Sequence, residues 1–147
     1  MVRADIVTSK LSDLGARIAR VRAHTPATSA LLREDQDALD LVSFNLMLCV
    51  QSAADIASHI VADEGWRPAV TLADAFERLR ENGVITRPTA DAMAKAAGLR
   101  NVVAHGYAGV DIEMVFAAAS RGVSDLDAFA SEVASWLQQR IAPPSRA

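Results

Sequence analysis

Apolar residues recur along this chain at steps of three and four, the spacing that lines one face of an α-helix. The clearest run is Leu39, Val42, Leu46, Cys49, Ala53, Ile56 and Ile60, which predicts a long helix from about residue 34 to 63. Glu34, Asp35 and Asp37 stand where the positive end of its dipole would lie. A second line, Leu41, Phe44 and Leu48, makes the same helix apolar on two sides. It is therefore expected to be the central element, with one face left for a partner.

Further helical patterns flank it. Val7, Leu11, Leu14, Ile18 and Val21 form one stripe over residues 4–22, and "HTPATSA" (24–30) breaks it around Pro26. "DEGWRPAV" (63–70) reads as a loop, in which Gly65 stops one helix and Pro68 prevents its resumption. A short helix follows over about 72–82, with Thr71 as its cap and "ENG" as its end. Pro88 or Thr89 opens the next, which carries Ala92, Met93, Ala96 and Leu99. Helical patterning returns from Asp111 to Ala119. Gly122 is expected to interrupt it, and Ser124 with Asp127 resembles a capping box for a last helix to about Ile141. "PPSRA" (143–147) reads as a frayed tail. The expected architecture is an all-α bundle, one domain over residues 1–142.

Composition agrees. Of 147 residues 51% are hydrophobic but only 5% aromatic, a mixture that favours helices over sheet. The one cysteine, Cys49, sits inside an apolar run, which excludes an intrachain disulfide and reads as a small core residue. No signal peptide is evident, and no segment offers the ~20 uninterrupted apolar residues of a membrane span. A cytoplasmic protein without membrane contact is expected. The formal net charge of −3 gives no general electrostatic case for nucleic-acid binding, so any such surface must be local.

One segment holds candidate chemistry. "GLRNVVAHGY" (98–107) places Arg100, Asn101, His105 and Tyr107 within one helix end. Asn101 and His105, four apart, share a helical face, and Arg100 lies at the edge of that sector, about 140° from His105. Histidine titrates near neutrality and can exchange a proton with a ribose 2′-hydroxyl or a leaving oxygen. The arginine fork neutralises charge growing on phosphate oxygens. No carboxylate cluster accompanies them, so the chemistry would need no metal and no cofactor. Taken alone, Arg and His five apart are more readily a surface arginine and a packed histidine.

The longer context changes that weighting. The spacing R-N-x-x-x-H-x-Y, the preceding "TLADAFERLRENGVITRPTADAMAKAAGLRN" and the upstream "QSAADIASHIV" (51–61) resemble the HepT-like toxin branch of the HEPN superfamily, over about residues 37–112. The resemblance implies an up-and-down helical bundle that forms a homodimer, with two motifs in a cleft at the two-fold axis. It implies a metal-independent endoribonuclease toxin of a toxin–antitoxin system, with Arg100 and His105 as the catalytic pair; Asn101 beside them reads as a group that positions the substrate or holds the backbone at the helix end. It implies an antitoxin of the MntA-like minimal nucleotidyltransferase kind, with Tyr107 as a target of adenylylation. The alternative is a non-catalytic module whose cleft binds a nucleotide or RNA, or receives a nucleotidyltransferase.

Other polar groups are weaker. Gln51, Asp55 and His59 form a line on the central helix. Asp55 is either a carboxylate that orients Arg100 across the cleft or half of an ordinary Asp–His pair, and His59 is expected to be structural. His24 reads as surface. Arg17, Arg20 and Arg22 read as a solvated helix face before an RNA contact, and so do Arg78 and Arg80. Trp66 and Trp136 are expected to be packing or dimer anchors, not base-stacking platforms.

Overall fold

The computed structural model describes residues 2–105 and 111–141, with backbone alone for 102–105. The described residues form seven α-helices and one π-helical turn, with no strand among them. The helices are α1 (Ala4–His24), α2 (Ser29–Glu34), α3 (Gln36–Glu64), α4 (Leu72–Glu81), α5 (Arg87–His105), α6 (Ile112–Ala117) and α7 (Val123–Ile141), and the π turn spans Ala118–Gly122. The four long helices close a ring, in which α1 packs on α3, α3 on α5, α5 on α7 and α7 back on α1. The short α4 lies against both α3 and α5. The predicted tail, 143–147, lies outside the described residues.

Helix α3 is the central element its pattern predicts. Asp35 caps it by accepting from the Ala38 amide at 3.0 Å. Val42, Leu46, Cys49, Ala53, Ile56 and Ile60 are all buried. Gly65 ends it at φ 70°, and the Trp66 amide reaches back to the Val61 carbonyl at 3.0 Å. By length and composition α3 would suffice to cross a membrane, but 56% of its most apolar window is buried inside the bundle. The second line stays partly open: Leu41 and Leu48 are half-buried and Phe44 is 53% exposed.

The core gathers Val7, Leu14 and Ile18 from α1, the α3 stripe, Phe76 and Leu79 from α4, Met93 from α5, and Leu126 and Phe129 from α7. Phe76 and Phe129 meet edge to face, centroids 5.6 Å apart at 86°. Each is fully buried, and burial of such a ring contributes about 1.5–3 kcal/mol.

Two sequence expectations change. The stretch read as a break up to residue 30 gives way to the one-and-a-half-turn α2, capped by Thr28, whose hydroxyl accepts from the Leu31 amide. Leu32 is its buried anchor. Gly122 does not interrupt the last helices. Ala117, Ala118 and Val123 are all right-handed helical, so α6, the π turn and α7 run on as one rod, and Ser124 lies inside it with no end to cap. The reason is burial: Val115, Ala119, Val123 and Leu126 continue one apolar line through the glycine. That line outweighs the ~1 kcal/mol a mid-helix glycine costs.

Helix α5, which carries the motif, is fixed at its start from a distance. Glu132 of α7 accepts from the Thr86 amide at 2.6 Å and from the Thr89 hydroxyl, so one carboxylate covers the open N-terminus of α5. Pro88 fits that first turn because its missing N–H has no partner to lose there.

Candidate functional site

Helix α5 presents Arg100 half-buried and Asn101 exposed near its C-terminal end, and His105 is its last residue. The His105 side chain and Tyr107 lie outside the described residues. The Arg100 guanidinium is held on two sides: Nη1 donates to Asn101 Oδ1 at 3.2 Å and Nη2 to Gln51 Oε1 at 3.1 Å. Its Nε is buried with no hydrogen-bond partner among the described residues. Gln51 in turn donates through Nε2 to Asp55 Oδ1 at 3.1 Å. Asp55 therefore reaches Arg100 through Gln51 and not by a direct hydrogen bond. The Asp55–His59 pair is not formed either, because His59 Nε2 stands 3.1 Å from Asp63 Oδ2, outside hydrogen-bond geometry.

Arg100 borders two cavities. One, of about 630 Å³, lies between α3, α5 and the π turn, with Met47, Met93 and Met114 in its wall and Lys95 and Arg121 among its polar groups. The other, of about 730 Å³, lies over Ala94, Ala97, Gly98 and Asn101 beside the start of α4. Residues 94, 97, 98 and 101 recur at steps of three and four, so this hollow follows the face of α5 on which residue 105 also falls. Small side chains leave it open: a Cβ at Gly98 would meet nothing within 4 Å. The arrangement suits an extended anion laid along α5, with its charge on the guanidinium.

A family model for HepT-like ribonucleases matches residues 14–133. The chain belongs to the HepT-like ribonuclease family. Among curated relatives, the mRNA nuclease HepT of Shewanella oneidensis is 27% identical over 125 residues, covering 85% of this chain and 93% of that protein. A putative RNase of Archaeoglobus fulgidus is 38% identical over 74 residues, 50% of this chain and 55% of that one. Among solved structures, a tri-AMPylated HEPN toxin of Shewanella oneidensis in complex with MNT antitoxin superposes with a TM-score of 0.82 at 26% identity, over 89% of this chain and 98% of that one. The cytosolic protein YutE of Bacillus subtilis, 14% identical with a TM-score of 0.82, shares the fold alone. The all-α HEPN bundle expected from the motif is thus the fold of this HepT-like chain.

Other polar candidates serve the HepT-like bundle itself. Arg17 donates to the buried Asn45 at 3.3 Å, and Arg22 pairs with Asp127, so these two are tied to their own chain and do not form a free basic face. Arg78 is a correction: it is 7% exposed, not solvated, and donates to the Arg67 carbonyl at 3.2 Å and to Glu81 at 3.5 Å. Arg80 donates to Glu77 at 2.6 Å and holds that carboxyl below its ordinary range. Trp66 and Trp136 pack on one another, centroids 6.3 Å apart, with Arg140 5.1 Å over the Trp136 ring. They join the end of α3 to α7. Cys49 is fully buried, and that burial pushes its thiol up to about 12, against a smaller lowering by Arg17. His24 is exposed, as its place at the end of α1 suggests. Sequence reasoning missed Gln51 as the guanidinium's partner and Glu132 as the anchor of α5, and it missed Asn45 as a buried polar group. Long-range hydrogen bonds of this kind leave no local pattern.

Proposed function

We propose that this chain is the toxin of a toxin–antitoxin pair, an endoribonuclease whose reaction is carried by Arg100 and His105. The observation that supports it most is Arg100, its guanidinium held beside Asn101 on α5 and the residue lining both hollows, in a HepT-like ribonuclease. In this reading the 2′-oxygen of the substrate RNA loses its proton to His105 and attacks phosphorus. The bond to the 5′-oxygen breaks, and that oxygen takes a proton from His105 of a second copy. Arg100 stabilises the charge on the phosphoryl oxygens, Asn101 positions the substrate, and Asp55 contributes to positioning only through Gln51 and Arg100. A homodimer places the two motifs in one cleft, in keeping with the open line of Leu41, Phe44 and Leu48 on α3. No metal takes part. A minimal nucleotidyltransferase of the MntA kind is the proposed antitoxin, acting in the cytoplasm on Tyr107. The related Shewanella toxin, found AMPylated with an MNT antitoxin, supports this pairing.

The net charge of −3 favours a second reading, a binding module that receives the nucleotidyltransferase without cleaving RNA. The test is cleavage of single-stranded RNA by the purified protein in EDTA. Cleavage that is lost in His105→Ala, with the helical spectrum intact, supports the nuclease. RNA or nucleotidyltransferase binding without cleavage overturns it, and strict dependence on a divalent ion overturns the metal-free mechanism.

A further inference from the structure

Arg100 is the one residue of its hydrogen-bonded chain that lines both hollows, and a neutral amide stands between its guanidinium and the carboxylate of Asp55. Gln51 accepts from Arg100 Nη2 and donates to Asp55 Oδ1, each at 3.1 Å. Only one orientation of the Gln51 amide satisfies both neighbours, because arginine can only donate and an ionised carboxylate can only accept. Gln51 and Asp55 are one turn apart on the rigid α3, while Arg100 comes from α5, so the chain of bonds pins the guanidinium across two helices.

A carboxylate at position 51 would still accept from Arg100 but would neutralise it, and it would have no N–H to give Asp55. An arginine already paired with a carboxylate has less charge to offer a phosphate, and its pair must be broken or shared when RNA arrives. An amide fixes position and leaves the full positive charge available. Asp55 then does its work at one remove: it sets the direction of the amide without touching the cation.

We propose that Gln51 is the positioning residue for Arg100, oriented by Asp55, and that its neutrality keeps the guanidinium free to bind the RNA phosphate. This rests on the ribonuclease reading above and names how that site is held and tuned.

Two signatures separate positioning from mere structure. Gln51→Ala leaves the charge but releases the fork, so kcat for RNA cleavage is expected to fall about tenfold while KM stays within about twofold, because misplacement weakens transition-state contacts first. Gln51→Glu keeps an acceptor but pairs the cation. RNA affinity is expected to drop about tenfold, and the slope of log Kd against log salt is expected to shrink by about 0.7, the contribution of one phosphate contact on a single strand. Asp55→Asn retains an acceptor oxygen and should stay within about threefold of wild type, whereas Asp55→Ala should follow Gln51→Ala. Binding is also measured on a 2′-O-methyl RNA, which cannot be cleaved through its 2′-oxygen. If wild type cleaves nothing, the ribonuclease reading fails, and the salt slope of Gln51→Glu on this probe still decides the relay. If Gln51→Ala and Gln51→Glu match wild type in kcat, KM and salt slope while His105→Ala is inactive, Gln51 has no such role.

Discussion

Arg100 and Asn101 are neighbours in sequence and about 100° apart around α5, yet Arg100 Nη1 donates to Asn101 Oδ1 across 3.2 Å. The guanidinium thus lies flat along the helix surface and does not extend into solvent. With Nη2 on Gln51, both terminal nitrogens are anchored by neutral oxygens, and the second N–H of each is left to meet a phosphate. Lysine cannot reproduce that geometry, because its three donors radiate from one nitrogen.

Arg100→Lys is therefore expected to lower RNA cleavage at least ~100-fold, a loss in the range reported for removing one oxyanion-stabilising donor. Arg100→Met should lose cleavage as fully and yet be as stable as wild type, or more so by up to about 1 kcal/mol. Nε is buried without a partner among the described residues, and such a group costs about 1–3 kcal/mol that methionine would not. Chemical denaturation beside a cleavage assay reads both, and a destabilised Arg100→Met would show that the arginine is a structural tie.

Much of this arrangement could be read from the residues, for physical reasons. The α3 stripe was legible because burial on one face of a helix imposes a period, and Asp35, Thr71 and Gly65 mark helix ends by local chemistry. Gly122 misled because its propensity is local while the apolar line through Val115, Ala119, Val123 and Leu126 is set by tertiary packing. Gln51 shows in the sequence only as one end of a polar line with Asp55 and His59, and Glu132 not at all. Each is a polar residue on a helix, and its meaning comes from a partner 49 or 46 positions away.

Glu132 ties α7 to the start of the motif helix, so its loss should be felt at both. Glu132→Ala leaves the Thr86 amide and the buried Thr89 hydroxyl without their acceptor and is expected to cost about 1.5–3 kcal/mol. Glu132→Gln keeps one acceptor and should cost about 1 kcal/mol. Hydrogen exchange should localise the loosening to the first turn of α5. An unchanged Tm in Glu132→Ala would refute the anchoring role.

Phe44 is 53% exposed between the half-buried Leu41 and Leu48, a line that the bundle itself does not cover. If this face joins two copies, Phe44→Glu should yield a monomer with the same helical content, because the ring contributes little to the fold of one chain. Sedimentation at micromolar concentration distinguishes the outcomes. A wild-type monomer excludes the dimer, and a dimer that persists in Phe44→Glu places the interface elsewhere.

Cys49 makes a prediction about pH. Its thiol is raised from an ordinary 9.0 to about 12 by burial. Between those values the unfolded chain releases the proton and the folded chain keeps it, so stability declines as pH rises. The contribution is fully present below pH 9 and falls by about 1.4 kcal/mol per unit above it, on the order of 4 kcal/mol by pH 12. Comparing unfolding free energies of wild type and Cys49→Ala from pH 8 to 11 isolates this slope. Parallel curves would show that the thiol does not couple to folding.

Tyr107 comes two residues after His105, the last residue of α5, and so follows closely on the proposed catalytic pair in sequence. In the proposed silencing reaction its phenolic oxygen attacks the α-phosphorus of ATP, pyrophosphate leaves, and the phenolic proton passes to a base on the nucleotidyltransferase. The product carries at least one phosphate charge and a bulky nucleoside near the segment that holds Arg100. A guanidinium kept free of carboxylates by Gln51 is an apt receiver for that phosphate, and once it is taken the substrate phosphate has no site. Inhibition would then come from occupancy of the anion site and not from unfolding. Co-expression with the cognate nucleotidyltransferase should add nucleotide mass to wild type and none to Tyr107→Phe, and the modified protein should keep its Tm while losing RNA binding. If the partner neutralises wild type without adding nucleotide mass, the antitoxin works by binding alone and Tyr107 is not its target.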